Sequence, residues 1–161
     1  MTILQQIFQI MSIEIKESLS LFDQAHSIHQ QIPEFQNQSS TYDELSVRIN
    51  KAKHPLVLVA YADDQPVGYL MGYERYQGSF YVWLAGVLPS HRRHGILGRL
   101  VKQTEQWANK LNLSSLNVRT RNRFKSMLLF LISHDFKLID IDKRQSVDDH
   151  RLILEKQLSL L

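Results

Sequence analysis

The apolar run Phe80 to Val87 passes through Leu88-Pro89-Ser90-His91-Arg92-Arg93-His94-Gly95 into a stretch of helical apolar spacing, and this succession restricts the chain more than any other feature. A helix start leaves its first backbone N–H groups unpaired and carries partial positive charge, so it attracts an anion that can approach closely. Gly95 and Gly98 keep bulky side chains away from that approach. Arg92, Arg93 and His94 add donors beside the backbone, which suits a ligand with several phosphates better than a single carboxylate.

The flanking pattern alternates. Ile13 to Glu17 reads as a strand, Leu19 to Ile32 as a helix stopped by Pro33, and Thr41 or Asp43 as the cap of a helix to about Ala52. Leu56 to Tyr61 and Val67 to Glu74 read as strands joined at Asp63-Asp64-Gln65-Pro66, and Gln77-Gly78-Ser79 turns into Phe80 to Val87. Together these form an antiparallel meander. A helix from Gly95 to Leu111 then leads to a strand, Ser115 to Arg119, through a crossover expected to be right-handed. Asn122 is placed to cap a helix with Phe124, Met127, Leu128 and Leu131 on its apolar face, before strands Phe136–Ile141 and Arg151–Leu154. The expected fold class is α+β, a mixed, mostly antiparallel central sheet with helices on both faces.

Composition sets limits on function. A chain of 161 residues suits one domain, expected over 13–161, with residues 1–12 an N-terminal extension, helical or disordered, and Met11 an alternative start. Zero cysteines excludes disulfides, thiolate metal sites and a cysteine nucleophile. A net charge of +3 is too mild for a dedicated nucleic-acid binder, but the cations cluster: Arg92, Arg93 and Arg99 form one group, and Arg119, Arg121, Arg123 and Lys125 a second. An anion with several phosphates would use both. No apolar run approaches the roughly 20 residues of a membrane span, so the cytoplasm is the expected location and no membrane partner is expected. The pairs His26/His29 and His91/His94 lack a third ligand, and no metal site is expected.

Val87, Pro89, Arg92 and Gly95 resemble the acyl-CoA motif of the GNAT superfamily of N-acyltransferases, in which a strand ending Val-x-Pro meets Arg-x-x-Gly-x-Gly/Ala at a helix start. Leu97 stands where that pattern has its second Gly or Ala, and Gly98 follows one residue later. The resemblance extends from about Met11 to Lys156, through Ile32-Pro33-Glu34-Phe35, the 80–87 strand, Arg119 to Leu128 and Ile153-Leu154. It implies acetyl-CoA as co-substrate and direct transfer to a primary amine, on a small molecule or a peptide, in a ternary complex. The cofactor positions it implies are Gly86, Val87, Arg92, Arg93, His94, Gly95, Ile96, Leu97, Gly98 and Asn122, with the Val87 backbone N–H as oxyanion donor.

An alkyl amine with a pKa of about 10.4 is mostly protonated at neutral pH, so a base is sought. Glu74, ending the second meander strand, is the first candidate and Glu34, near the acceptor side, the second. The Tyr that protonates the leaving thiolate in many GNAT enzymes is replaced here by Leu131, and Asp135 replaces a Gly; Tyr73 and Tyr81 are the remaining phenol donors. A non-catalytic acyl-CoA sensor and, less favoured, a nucleic-acid-binding module stay open as alternatives. Asp23, Glu34, Asp43 and Glu44 suggest a cationic acceptor, while Trp83, Leu158, Leu160 and Leu161 are candidates either for a homodimer edge or for the core.

Overall fold

Alternate residues of the strand Leu56–Ala62 enter two different cores, Leu56, Leu58 and Ala60 on one side and Val57 and Val59 on the other. A strand covered on both faces has no need of polar alternation, which explains its unbroken apolar sequence. In this computed structural model, which describes residues 11–159, it is the second of seven strands in one sheet.

The elements run β1 (Ile13–Glu17), α1 (Phe22–Gln30), α2 (Tyr42–Lys51), β2 (Leu56–Ala62), β3 (Gln65–Tyr76), β4 (Ser79–Val87), α3 (Ile96–Lys110), β5 (Ser115–Arg121), α4 (Lys125–Ser133), β6 (Lys137–Asp142) and β7 (Arg151–Gln157). Strand order is β1-β2-β3-β4-β5-β7-β6, antiparallel except for the β4–β5 pair that α3 bridges. This is the mixed, mostly antiparallel sheet with helices on both faces expected from the sequence. Helices α1 and α2 bury Phe22, Ala25, Ile28, Leu45 and Ile49 against Val57, Val59, Tyr69 and Met71. On the other face α3 and α4 bury Ile96, Leu100, Val101 and Leu131 against Leu58, Leu70, Phe80 and Val82.

Local chemistry sets the element ends. The helix expected from Leu19 is split: Ser18 Oγ accepts from the Ser20 N–H and starts a 3-10 turn, Leu19–Leu21, before α1. It also stops early, because Ile32 precedes Pro33 and is extended (φ −80°, ψ 116°). Thr41 closes a capping box with Glu44 at the start of α2. Asp63 and Asp64 both have positive φ and make a two-residue hairpin between Ala62 and Gln65, so β3 is longer than the sequence suggested. Asp135 (φ 68°) ends α4 in a Schellman arrangement, with the Phe136 N–H on the Leu131 carbonyl and the Asp135 N–H on that of Ile132.

The feature that shapes the site lies in β4. Its register with β3 shifts between Met71 and Gly72, where Met71 faces Leu84 and Gly72 faces Val82, leaving Trp83 as the extra residue of a bulge. Gly72 is required there, since a Cβ would stand 2.3 Å from the Tyr81 carbonyl oxygen. On its other side β4 pairs with β5 only from Ser79 to Val82, and Trp83–Val87 diverge from it. Residues 1–10, most of the expected extension, lie outside the described residues, as do Leu160 and Leu161. Leu158 packs against the core and Trp83 lines the interior cleft that opens where the strands part.

Candidate active site

The divergence of β4 from β5 opens a cleft of about 1020 Å³, at the upper end of the range for small-molecule sites. Its walls come from both layers, Ile32, Tyr81 and Trp83 from the α1/α2 side and Ile96, Val101 and Met127 from the α3/α4 side, so it passes through the sheet. The Leu88 N–H bonds the Val67 carbonyl at 2.8 Å on β3. Because strand amides alternate in direction, the N–H of Val87 faces the opposite edge, into the gap.

The α3 end of the cleft is built for an anion. Gly95 (φ 74°) begins the helix without any side-chain cap, and a Cβ there would meet nothing within 4 Å. The first-turn amides therefore face open space. Arg93 lines this end with φ 64°, a left-handed conformation costing on the order of 1 kcal/mol in a non-glycine residue.

Seven of the ten expected cofactor positions border the cleft: Gly86, Val87, Arg92, Arg93, Gly95, Ile96 and Leu97. Three do not. His94 turns its Nδ1 to the Arg92 carbonyl at 2.8 Å and so fixes the turn. Gly98 is a packing glycine, where a Cβ would press on His134 Nε2 at 3.3 Å between α3 and α4. Asn122 neither caps α4, which begins at Lys125 without a side-chain cap, nor borders the cleft; its amide donates to the Val147 carbonyl at 2.8 Å.

All four members of the second basic group, Arg119, Arg121, Arg123 and Lys125, border the cleft, but their partners differ. Arg121 and Arg123 both pair with Asp149. Arg119 instead lies over the Tyr81 ring and donates to the Tyr76 hydroxyl at 3.0 Å.

The cleft also supports a family assignment. A family model described as Acetyltransferase (GNAT) family matches residues 22–129, which include α1, α2, strands β2 to β5 and the α3 turn. The chain belongs to the acetyltransferase (GNAT) family. Among solved structures it is similar to the ribosomal-protein-S18-alanine N-acetyltransferase of Escherichia coli, at 13% identity and TM-score 0.75, covering 93% of this chain and 96% of that one. It is likewise similar to the PaiA N-acetyltransferase of Thermoplasma acidophilum in complex with coenzyme A, at 18% identity and TM-score 0.74, covering 91% and 99%. A third is an IAA acetyltransferase from Bacillus cereus, at 16% identity and TM-score 0.74, covering 91% and 100%. No curated protein sequence gives a significant match. At these identities the likeness is one of fold.

The expected catalytic residues of this GNAT chain fare unequally. Glu74 is a correction. It is 7% exposed, accepts the Gly78 N–H at 2.9 Å, meets His54 Nδ1 at 2.7 Å and Lys53 Nζ at 3.2 Å, and does not border the cleft. The Gly78 N–H, with His54 and Lys53, holds its carboxyl at about 2, so it closes the β3–β4 hairpin as a fixed anion. Tyr73 is a second correction, because its hydroxyl accepts from Arg48 Nε at 2.9 Å and Nη2 at 2.6 Å and its ring is buried behind Trp83 and Tyr81. Glu34 does border the cleft, but its two oxygens take Arg92 Nη1 at 2.8 Å and Nη2 at 2.9 Å, and this bond holds its carboxyl below the usual range.

Leu131 is buried at 2% exposure, Ser133 Oγ bonds the Phe130 carbonyl, and His134 stacks on Phe130, so none of the three presents a proton donor to the gap. Tyr81 borders the cleft, and burial, opposed by Arg119, Arg75 and Arg48, raises its phenol above the ordinary value. Arg48, Arg75 and Trp83 were not legible as site residues. Each sits in a pattern that reads as an ordinary helix surface or strand, and only the bulge and the α2 packing bring them to the cleft.

Proposed function

We propose that this GNAT protein transfers an acetyl group from acetyl-CoA to a primary amine by direct attack in a ternary complex. The observation that carries the reading is a through-sheet cleft with an uncapped helix start at one end and a free strand edge along its wall. Acetyl-CoA supplies an activated acyl group and a thiol leaving group. The α3 amides and Arg93 hold its phosphates, and the edge of β4 from Trp83 to Val87 holds the pantetheine arm as an added strand.

The amine nitrogen bonds the carbonyl carbon, the Val87 N–H donates a hydrogen bond to the oxygen as charge develops on it, the carbon–sulfur bond breaks, and the nitrogen loses one proton to water. Tyr81, kept protonated by burial, donates to the departing thiolate. Glu34 is held ionised and is a poor base, so the neutral fraction of the amine supplies the nucleophile. The rate as kcat/KM therefore rises about tenfold per pH unit below the acceptor's own pKa.

A non-catalytic acyl-CoA sensor is the second reading, favoured by buried Leu131 at the position of the family's Tyr. Calorimetric titration of acetyl-CoA, with thiol release in the presence of amines, tests both. Micromolar binding with thiol release supports the transferase, binding without release supports the sensor, and no binding by folded protein overturns both.

A further inference from the structure

At the end of the cleft away from α3, the guanidinium groups of Arg48, Arg75 and Arg119 gather around Tyr81 and Trp83. The Arg48 guanidinium carbon lies 4.4 Å from the Trp83 centroid; those of Arg75 and Arg119 lie 5.0 and 5.7 Å from that of Tyr81. All three act on the charge of the Tyr81 phenol, so they share one neighbourhood. Among the described residues no carboxylate forms an ion pair with any of them. Of the four carboxylates that the sequence offered for a cationic acceptor, Asp23 accepts the Tyr42 hydroxyl, Glu44 closes the α2 cap, Asp43 does not border the cleft, and Glu34, which does, is taken by Arg92.

Three like charges gathered around two aromatic rings repel one another, and the rings offset only part of that cost. Their donors are not used up. Arg48 spends Nε and Nη2 on the Tyr73 hydroxyl, Arg119 spends Nη2 on that of Tyr76, and Arg119 Nε is buried without a partner. Guanidinium forks match a planar carboxylate. The end that receives the anionic part of the cofactor is already provided at α3, on the opposite face of the sheet from Tyr73 and Tyr81.

We infer that the acceptor is a primary amine that also carries a carboxylate, held by Arg48, Arg75 and Arg119 with its amine directed at the gap between β4 and β5. The inference rests on the transferase reading and reverses the cationic acceptor suggested by the sequence. A free amino acid and the acidic N-terminal residue of a peptide share this chemistry.

The test measures thiol release with matched pairs, phenylalanine against phenethylamine, tryptophan against tryptamine and leucine against isoamylamine, and with the peptides Asp-Ala-Ala amide and Lys-Ala-Ala amide. Acetyl-CoA affinity is followed separately by calorimetry. At least a tenfold higher kcat/KM for carboxylate-bearing members is expected, in the free amino acids or in the acidic peptide according to the source. Arg75→Gln, at an exposed position, raises KM for these acceptors about tenfold and leaves acetyl-CoA affinity unchanged; Arg48→Gln does the same. Equal or better use of the carboxylate-free partners, or no turnover of any carboxylate-bearing amine by protein that binds acetyl-CoA, overturns the inference. Failure to bind acetyl-CoA overturns instead the transferase reading beneath it.

Discussion

Arg92 grips both carboxylate oxygens of Glu34 across the mouth of the cleft while its Nε donates to the Val87 carbonyl at 3.0 Å. One side chain thus ties together the turn before α3, the free edge of β4 and the 3-10 turn Pro33–Phe35. Arg92 is more than a phosphate ligand in waiting.

Glu34→Gln tests whether that carboxylate is a base. Both partners are about two-fifths exposed, so stability should change by less than about 1 kcal/mol. Thiol release should fall less than about fivefold with its pH profile unchanged in shape. A loss of about a hundredfold or more, with the rate no longer rising with pH, would restore Glu34 as the general base.

Glu74→Gln should behave in the opposite manner. It removes the anion that holds Gly78, His54 and Lys53, at a cost of about 1–3 kcal/mol, while acetyl-CoA affinity stays unchanged. The carboxyl sits at about 2 in the folded chain against an ordinary 4.5. Its contribution is therefore complete above pH 4.5 and lost as pH falls through about 2. Urea unfolding of both proteins across that range should show their stabilities converging toward acid pH.

Gly95→Ala places a methyl in left-handed backbone, costing about 1 kcal/mol, and directs it into the open space over the α3 amides. Acetyl-CoA should bind at least tenfold more weakly while the melting temperature drops only a few degrees. Unchanged affinity would remove the α3 start from the binding site.

His29 predicts a separate acid sensitivity. It is buried, its Nδ1 lies 2.6 Å from the Tyr69 hydroxyl, and desolvation, aided by nearby His26, lowers its pKa from 6.5 to about 4. The unfolded chain takes up this proton first, so stability should decline as pH falls from 6.5 to 4. His29→Gln, which cannot titrate, should flatten that slope in chemical denaturation; an unchanged slope would assign the sensitivity to other groups.

The order of strands and helices and the anion-attracting turn were legible in sequence because each depends on neighbours within a few residues. Periodicity, Pro33, the Thr41–Glu44 cap and Gly95 act locally. The destination of each charged side chain was decided only by the tertiary structure. Glu34 and Arg92 are 58 residues apart, Arg119 and Tyr76 are 43 apart, and Glu74 and Arg75 are adjacent yet one closes a hairpin while the other borders the cleft. Strand alternation sends neighbours to opposite faces, and the bulge at Trp83 resets that alternation midway along β4. The sequence by itself therefore determined the family and the anion-attracting turn at one end of the cleft, while the fold decided that Arg48, Arg75 and Arg119 gather at the other.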